Sequence, residues 1–196
     1  MTDVSFIIPL RNQERTVART VRQAAEVGRS LEIGDERGPR FEILALDERS
    51  GDNTLALLSL LHGQIPELRT VQDLAPGRAL ARGVRLAQGE LLVVLDHPTD
   101  VDLLRWAGEQ VARGHRAAVV PGEVLAVRRE EAVRLLAGRR AGLVGAQQVV
   151  ATALGGVPRG VAYSPPPPRS VAARTRMRAR TVAARLGLGR LDHPGK

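Results

Sequence analysis

Short apolar runs alternate with amphipathic stretches along the first 120 residues of the chain. The runs consist mainly of aliphatic and β-branched side chains, as expected of buried strands, and occupy residues 4–8, 41–46, 68–72, 91–95 and 117–120. Between them, apolar positions recur at helical spacing, for example at Val17, Val21 and Ala24, in a helix for which Asn12 is the candidate cap. This alternation predicts an α/β fold with a Rossmann-like, mostly parallel sheet flanked by helices.

A different pattern follows residue 120. Further strands are predicted at residues 124–127 and 157–163, with helices at residues 129–137 and 142–154 between them. Four consecutive prolines, residues 165–168, then predict a stiff, extended spacer. We therefore divide the chain into a folded domain at residues 1–164 and a proline-rich spacer with a tail at residues 165–196.

Asp96 ends the apolar run at residues 91–95, so a carboxylate is expected at the carboxyl end of a buried strand. In open α/β sheets ligands bind outside that edge, which makes Asp96 a candidate ligand-binding residue. An equally simple interpretation is that Asp96 caps the helix that follows. The pattern alone leaves both interpretations open.

Composition narrows the class of protein. With 196 residues and 43% hydrophobic content, the chain is long enough to bury one core. It contains no cysteine, which excludes disulfides and thiolate metal sites. The first residues lack the basic segment and apolar run of a signal peptide, and no run approaches the ~18 apolar residues of a membrane span. A cytoplasmic protein is the expectation.

Positive charge is concentrated near the end of the chain. Eight of the 29 basic residues lie after residue 160, against one acid, Asp192. A basic helix is predicted at residues 170–189, where Arg174, Arg176 and Arg178 are candidate contacts to an acceptor phosphate or an anionic membrane surface. A solvated tail is the alternative. Nucleic acid is disfavoured as a partner because aromatic residues, which stack on bases, make up 2% of the chain.

Four motifs occur in order, at residues 4–14, 41–54, 77–79 and 89–96. Together they resemble the nucleotide-sugar motifs of inverting family 2 glycosyltransferases, which have the GT-A fold, and most closely those of the polyprenyl-phosphate (dolichyl-phosphate mannose synthase-like) branch. The resemblance implies transfer of a sugar from a UDP- or GDP-sugar to an acceptor. A polyprenyl phosphate would fit the basic tail, and the protein would then be peripheral at the membrane.

The resemblance also implies which residues bind the nucleotide sugar. The loop of the first motif borders the nucleotide, the acid of the second receives the base or ribose, and an arginine of the third lies near the phosphates. The implied set is Pro9, Asn12, Glu14, Asp47, Glu48, Arg78 and Asp96. The second motif departs from the family, which usually has an aspartate in place of Glu48 and a glycine in place of Arg49.

The D-x-D metal motif is disrupted. Asp96 matches its first acid, but His97 and Pro98 follow directly and the second acid is missing. Because Mg²⁺ and Mn²⁺ prefer hard oxygen ligands, the implied cofactor would bind weakly and depend on nucleotide phosphates, with Asp100 or His97 as a second ligand. Alternatively, His97 packs or caps after Asp96.

No catalytic base is assigned. Where the family has an acidic motif, this chain has Gly145, Ala146, Gln147 and Gln148, and its acceptor-side segment after residue 120 is short. An acceptor that is already a phosphate needs little base assistance, because its oxygen is anionic near neutral pH. Two hypotheses therefore remain: a small glycosyltransferase, and a catalytically degenerate relative that binds a nucleotide sugar or serves as a partner subunit.

Overall fold

The computed structural model describes residues 2–31 and 40–164 of the chain. Within them, seven strands form one sheet: β1 (Val4–Leu10), β2 (Phe41–Asp47), β3 (Leu68–Val71), β4 (Leu91–Val94), β5 (Ala117–Val120), β6 (Val124–Arg128) and β7 (Val161–Tyr163). Their order across the sheet is β3-β2-β1-β4-β6-β5-β7. β6 runs antiparallel to its neighbours β4 and β5, and the other neighbouring pairs are parallel.

Helices cover both faces of this sheet. In the described part of the chain they are α1 (Val17–Ser30), α2 (Thr54–His62), α3 (Ala79–Leu86), α4 (Val101–Ala112), α5 (Arg129–Leu136) and α6 (Leu143–Leu154). Buried side chains of α1, α2 and α4 pack on one face, and those of α3, α5 and α6 pack on the other. The predicted α/β fold with a mostly parallel sheet between helices is confirmed. The predicted basic helix lies outside the described residues.

The central strands β1 and β4 are buried on both faces. Along β1, Phe6 and Ile8 join the core beneath α1, whereas Ile7 between them joins the core beneath α3. In β4, Val93 and Val94 divide between the two cores in the same way. Because helices cover both faces, neither strand has a solvent-exposed side, which explains why both are almost entirely apolar, with the buried Ser5 of β1 as the exception.

β1 continues through Pro9, where the sequence predicted its end. The carbonyl of Ile7 faces β4, since it accepts the Leu95 N–H (3.2 Å), and Pro9 faces the same side two positions later. The ladder between β1 and β4 ends at Ile7, so the N–H that proline lacks lies beyond it. Pairing with β2 carries β1 on to Leu10.

α1 begins at Val17, although the sequence predicted Asn12 as its cap. Asn12 has a left-handed φ of 51°, and its side-chain oxygen accepts the Gly51 N–H (2.8 Å) in the loop after β2. A turn closed by the bond from Thr16 N–H to the Gln13 carbonyl (2.9 Å) lies between Asn12 and the helix. The prediction was wrong because the partner of this asparagine is distant in sequence.

Candidate active site at the carboxyl edge of the sheet

The carboxyl ends of β1, β2, β3 and β4 lie at one edge of the sheet because these strands are parallel. β5 ends and β6 begins at the same edge, since β6 is antiparallel to both of its neighbours. β2 lies on one side of β1 and β4 lies on the other, so the order in which the strands are added reverses at β1. In α/β folds, ligands bind in the crevice at such a reversal. The strand ends and following loops at this edge hold all seven candidate nucleotide-sugar residues.

The loops after β1 and β2 are joined by reciprocal hydrogen bonds. The Asn12 N–H donates to Ser50 Oγ (2.9 Å), while Asn12 Oδ1 accepts the Gly51 N–H. Glu14 Oε2 accepts both the backbone N–H and the side-chain amide of Asn53 (3.1 Å each). The side chains of Asn12 and Glu14 therefore fix the loops that border the crevice.

Asp52 extends this junction to the start of α2. Its carboxylate accepts the Glu14 N–H (3.1 Å), the Thr54 N–H (3.0 Å) and the Thr54 hydroxyl (2.5 Å). Burial raises the pKa of the Asp52 carboxyl, but the hydrogen bonds from Thr54 and Glu14 outweigh burial and leave the pKa below its ordinary value. An ionised Asp52 thus holds the two loops together.

Asp47 lies at the end of β2 and is 1% exposed. Its carboxylate accepts the Ser50 N–H (3.1 and 3.3 Å to the two oxygens), which closes the turn after β2. Arg49 in this turn has a left-handed φ of 56°, a conformation that favours glycine. The backbone therefore explains why a glycine is usual in the family motif that this segment resembles.

Glu48 and Arg78 both lie at the start of α3. Glu48 Oε1 accepts the Ala79 N–H (2.8 Å) and so satisfies a free donor of the first helical turn. Arg78 precedes the helix and is exposed, and Gly77 before it has a φ of 75°. Glu48 therefore connects the end of β2 to α3, while the Arg78 side chain lies at the surface.

Asp96, His97 and Glu123 form a line of contacts beyond the end of β4. His97 Nδ1 lies 2.7 Å from Asp96 Oδ1, and His97 Nε2 lies 2.9 Å from Glu123 Oε2. The three side chains are 20–25% exposed. The cap of α4 is Asp100, whose Oδ1 accepts the Asp102 N–H (2.8 Å), so the capping interpretation of Asp96 was wrong.

The side chains of Asp96, His97, Glu123 and Asp100 do not by themselves form a metal-binding site. The two nitrogens of an imidazole point in different directions, so His97 faces Asp96 on one side of its ring and Glu123 on the other. Asp100 is engaged at the start of α4. Accordingly, residues 2–31 and 40–164 contain no group of three or more His, Cys, Asp or Glu side chains able to hold a metal.

The turn between β5 and β6, residues 121–123, is clamped by Gln147 of α6. The Gln147 amide nitrogen donates to the carbonyls of Val120 (3.0 Å) and Val124 (2.9 Å), and its oxygen accepts the Gly122 N–H (2.9 Å). Gln147 is 6% exposed, whereas Gln148 is exposed. A carboxylate could not make the two donor contacts, which gives a structural reason for an amide at position 147.

Sequence reasoning missed Gln13 and Glu123 at this site, and it also missed the structural role of Gln147. Gln13 Nε2 donates to the Asp96 carbonyl (3.0 Å) across the crevice, and its buried Oε1 has no hydrogen-bond partner. The Pro-Gly pair before Glu123 signalled a turn after a strand, and so could have identified that acid. Nothing in the sequence pointed to the three hydrogen bonds of Gln147.

Part of the chain matches a known protein family. Residues 5–97 match one family model. That family is Glycosyl transferase family 2. The matched segment runs from β1 to His97 and contains all seven candidate nucleotide-sugar residues, although not Glu123 or Gln147. No curated protein sequence matches the chain.

Solved structures of glycosyltransferases share the fold. A mannosyltransferase from Pyrobaculum calidifontis, in complex with GDP-Man and Mn²⁺, has a TM-score of 0.64 at 18% identity, over 98% of this chain and 65% of that chain. The present chain thus spans slightly less than two thirds of that relative. Glucosyl-3-phosphoglycerate synthase from Mycobacterium tuberculosis, in complex with Mn²⁺, UDP and glucosyl-3-phosphoglycerate, gives 0.65 at 16% identity, covering 99% and 82% of the two chains. The TarS fragment 1–349 from S. aureus gives 0.60 at 11% identity, covering 97% and 74%. The fold is GT-A-like.

Replacing Gln147 tests the clamp. We expect Gln147→Glu to lower the free energy of unfolding by about 3 kcal/mol at neutral pH, because two buried carbonyls would face a charge that cannot donate to them. Urea unfolding followed by circular dichroism would measure this. Gln148→Glu introduces the same charge at the exposed neighbouring position and should change stability by no more than about 0.5 kcal/mol. Equal effects of the two substitutions would contradict the clamp.

Proposed function

We propose that this protein is a glycosyltransferase that transfers a sugar from a UDP- or GDP-sugar to an acceptor. One observation carries the proposal. The candidate nucleotide-sugar residues come from separate segments of the chain, yet they lie at one edge of the sheet, around the crevice beyond β1 and β4. The family match over residues 5–97 spans the same segments and supports the proposal.

The proposed donor site assigns different tasks to different residues. Asp96 would accept hydroxyl groups of the nucleotide sugar, and Arg78 would pair with the diphosphate. Asp47 would receive the base or ribose, and because it is 1% exposed, that contact requires the turn held by Ser50 to move. Pro9, Asn12, Glu14 and Glu48 would shape the surrounding loops.

The proposed reaction is a displacement at the anomeric carbon. The acceptor oxygen forms a bond to that carbon while the bond to the nucleoside diphosphate breaks, and the diphosphate leaves with the bonding electrons. If the acceptor is a phosphate, its oxygen is already anionic and no proton needs to be removed. This chemistry is compatible with amides at positions 147 and 148.

We further propose that Mg²⁺ or Mn²⁺ joins the site only together with the nucleotide. The described side chains offer no three-ligand set, so phosphate oxygens and water would complete the coordination around Asp96. When bound, the cation would supply charge neutralisation for the diphosphate. The protein without nucleotide should bind neither metal tightly.

The second candidate function is that of a degenerate relative that binds a nucleotide sugar, or serves as a partner subunit, without turnover. The amides at positions 147 and 148 and the missing second acid favour it. Release of UDP or GDP from the donor in the presence of a polyprenyl phosphate distinguishes an enzyme from such a relative.

Calorimetric titration tests the proposed site. We expect the protein to bind UDP-glucose or GDP-mannose, and to bind Mn²⁺ only when the nucleotide is present. Asp96→Ala should weaken binding by about tenfold to a hundredfold, because a hydrogen bond to a charged group contributes about 1.5–3 kcal/mol. Glu90→Ala removes an exposed acid just before β4, at the opposite edge of the sheet, and should have no effect. Failure to bind either nucleotide sugar would contradict the proposal.

We propose a polyprenyl phosphate, presented at the cytoplasmic membrane surface, as the acceptor. The eight basic residues after position 160 support this choice, and all of them lie outside the described part of the chain. None of the helices within residues 2–31 and 40–164 is both long and apolar enough to cross a bilayer. In this proposal the basic residues attach the protein through charge, which contributes about 1 kcal/mol per basic residue near an anionic leaflet.

Substitution of the tail arginines tests this acceptor class. Replacing Arg174, Arg176 and Arg178 together by glutamine should reduce sedimentation with phosphatidylserine vesicles, and added salt should reduce binding of the unmodified protein because it screens the charges. Replacing Arg15, Arg19 and Arg22, which are exposed on or just before α1, removes the same charge and serves as the control. The membrane proposal fails if both triple variants sediment like the unmodified protein.

A further inference from the structure

A line of contacts crosses the carboxyl edge of the sheet from α6 to the end of β4. Gln147 clamps the turn at residues 121–123, the turn carries Glu123 to His97, and His97 contacts Asp96. The bond from Gly122 to Gln147 joins residues 25 positions apart in the sequence, and the bond between Glu123 and His97 joins residues 26 positions apart. The orientation of Asp96 therefore depends on a part of the fold beyond the family match.

We propose that His97 and Glu123 are positioning residues, which hold the Asp96 carboxylate in its orientation toward the nucleotide sugar. This inference rests on the proposed function, because it concerns how the donor site is kept in place. Neither residue needs to touch the donor, since both act through Asp96.

The backbone around Asp96 explains why such support is needed. Residues 96–100 form no helix or strand, and Asp96 follows the last residues of β4. Gln13 holds the Asp96 carbonyl (3.0 Å), but the side chain is held through His97. A binding carboxylate loses much of its effect when it is displaced by about 1 Å, so a fixed side chain favours productive binding.

The imidazole of His97 is suited to this task because its two nitrogens face different directions. One nitrogen engages Asp96, and the other engages Glu123 on a different turn (2.7 and 2.9 Å). The sequence lacks the second acid that would complete the family motif after Asp96. Glu123, which the short turn between β5 and β6 brings within reach of His97, supplies the support for Asp96 from elsewhere in the fold.

Two substitutions of Glu123 distinguish the effect of its contact with His97 from the effect of its charge. Glu123→Asp keeps the charge but is one methylene too short to reach His97 Nε2 from the clamped turn. Glu123→Gln removes the charge but keeps the reach, and its amide can bond to a ring nitrogen with or without a hydrogen. If the contact with His97 is what holds Asp96 in place, the glutamine variant should bind the donor like the unmodified protein, and the aspartate variant should bind it more weakly.

Calorimetric titration of the full-length protein with UDP-glucose and GDP-mannose, below the unfolding temperature of every variant, tests the inference. We expect Glu123→Asp and Glu123→Ala to weaken donor binding by about fivefold to tenfold, as coupled neighbours do, and Glu123→Gln to restore it. In the Asp96→Ala background, Glu123→Asp should have no further effect. Glu90→Ala is again the control.

The inference is overturned if Glu123→Asp binds like the parent, if Glu123→Gln is as weak as Glu123→Ala, or if Glu123→Asp weakens binding equally with and without Asp96. In all these cases the parent still binds a nucleotide sugar and the proposed function stands. If the parent binds neither nucleotide sugar, the proposed function and the positioning role are both wrong.

Discussion

Parallel pairing of β1 with both β2 and β4 determines where the loops of the candidate site lie. It buries β1 between two strands and two helical layers, and it brings the ends of these strands to the same edge of the sheet. The loops that follow must then pack against one another. Their polar groups find partners across the crevice, as Asn12 does with the loop after β2 and Gln13 does with Asp96.

The same side chains consequently have structural and proposed functional roles. Glu48 satisfies the start of α3, Glu14 joins Asn53, and Asp47 closes the turn at Ser50. A ligand entering the crevice would meet groups that are already oriented, and little ordering would be left for binding to do. The turn after β2 would be the part of the site that has to rearrange, because Asp47 must release or share the Ser50 N–H to reach a nucleoside.

The sequence was sufficient for most of the fold and for the location of the candidate site. Apolar runs identified β1 and β4 because double burial leaves almost no polar positions, Ser5 being the exception in β1, and the acid after β4 indicated the edge of the sheet. The sequence was insufficient wherever a polar side chain has a partner that is distant along the chain. Asn12 was predicted as a helix cap because the bond to Gly51 is not local, and Glu123 was missed because its role depends on His97, 26 positions away. The roles of the candidate residues in binding stay predictions.

Under the proposed function, the carboxyl edge of the sheet binds a nucleotide. The opposite edge offers a competing site, a cavity of about 260 Å³ lined mainly by Arg116, Arg128, Glu130 and Glu131. Amide chemical shifts measured during titration with UDP and with GDP distinguish the two edges. We expect shifts at the amides of Ser50, Ala79, His97 and Glu123, with those of Arg116 and Glu131 unchanged. Shifts confined to the cavity at the opposite edge, or no shifts with either nucleotide, would contradict the proposed function.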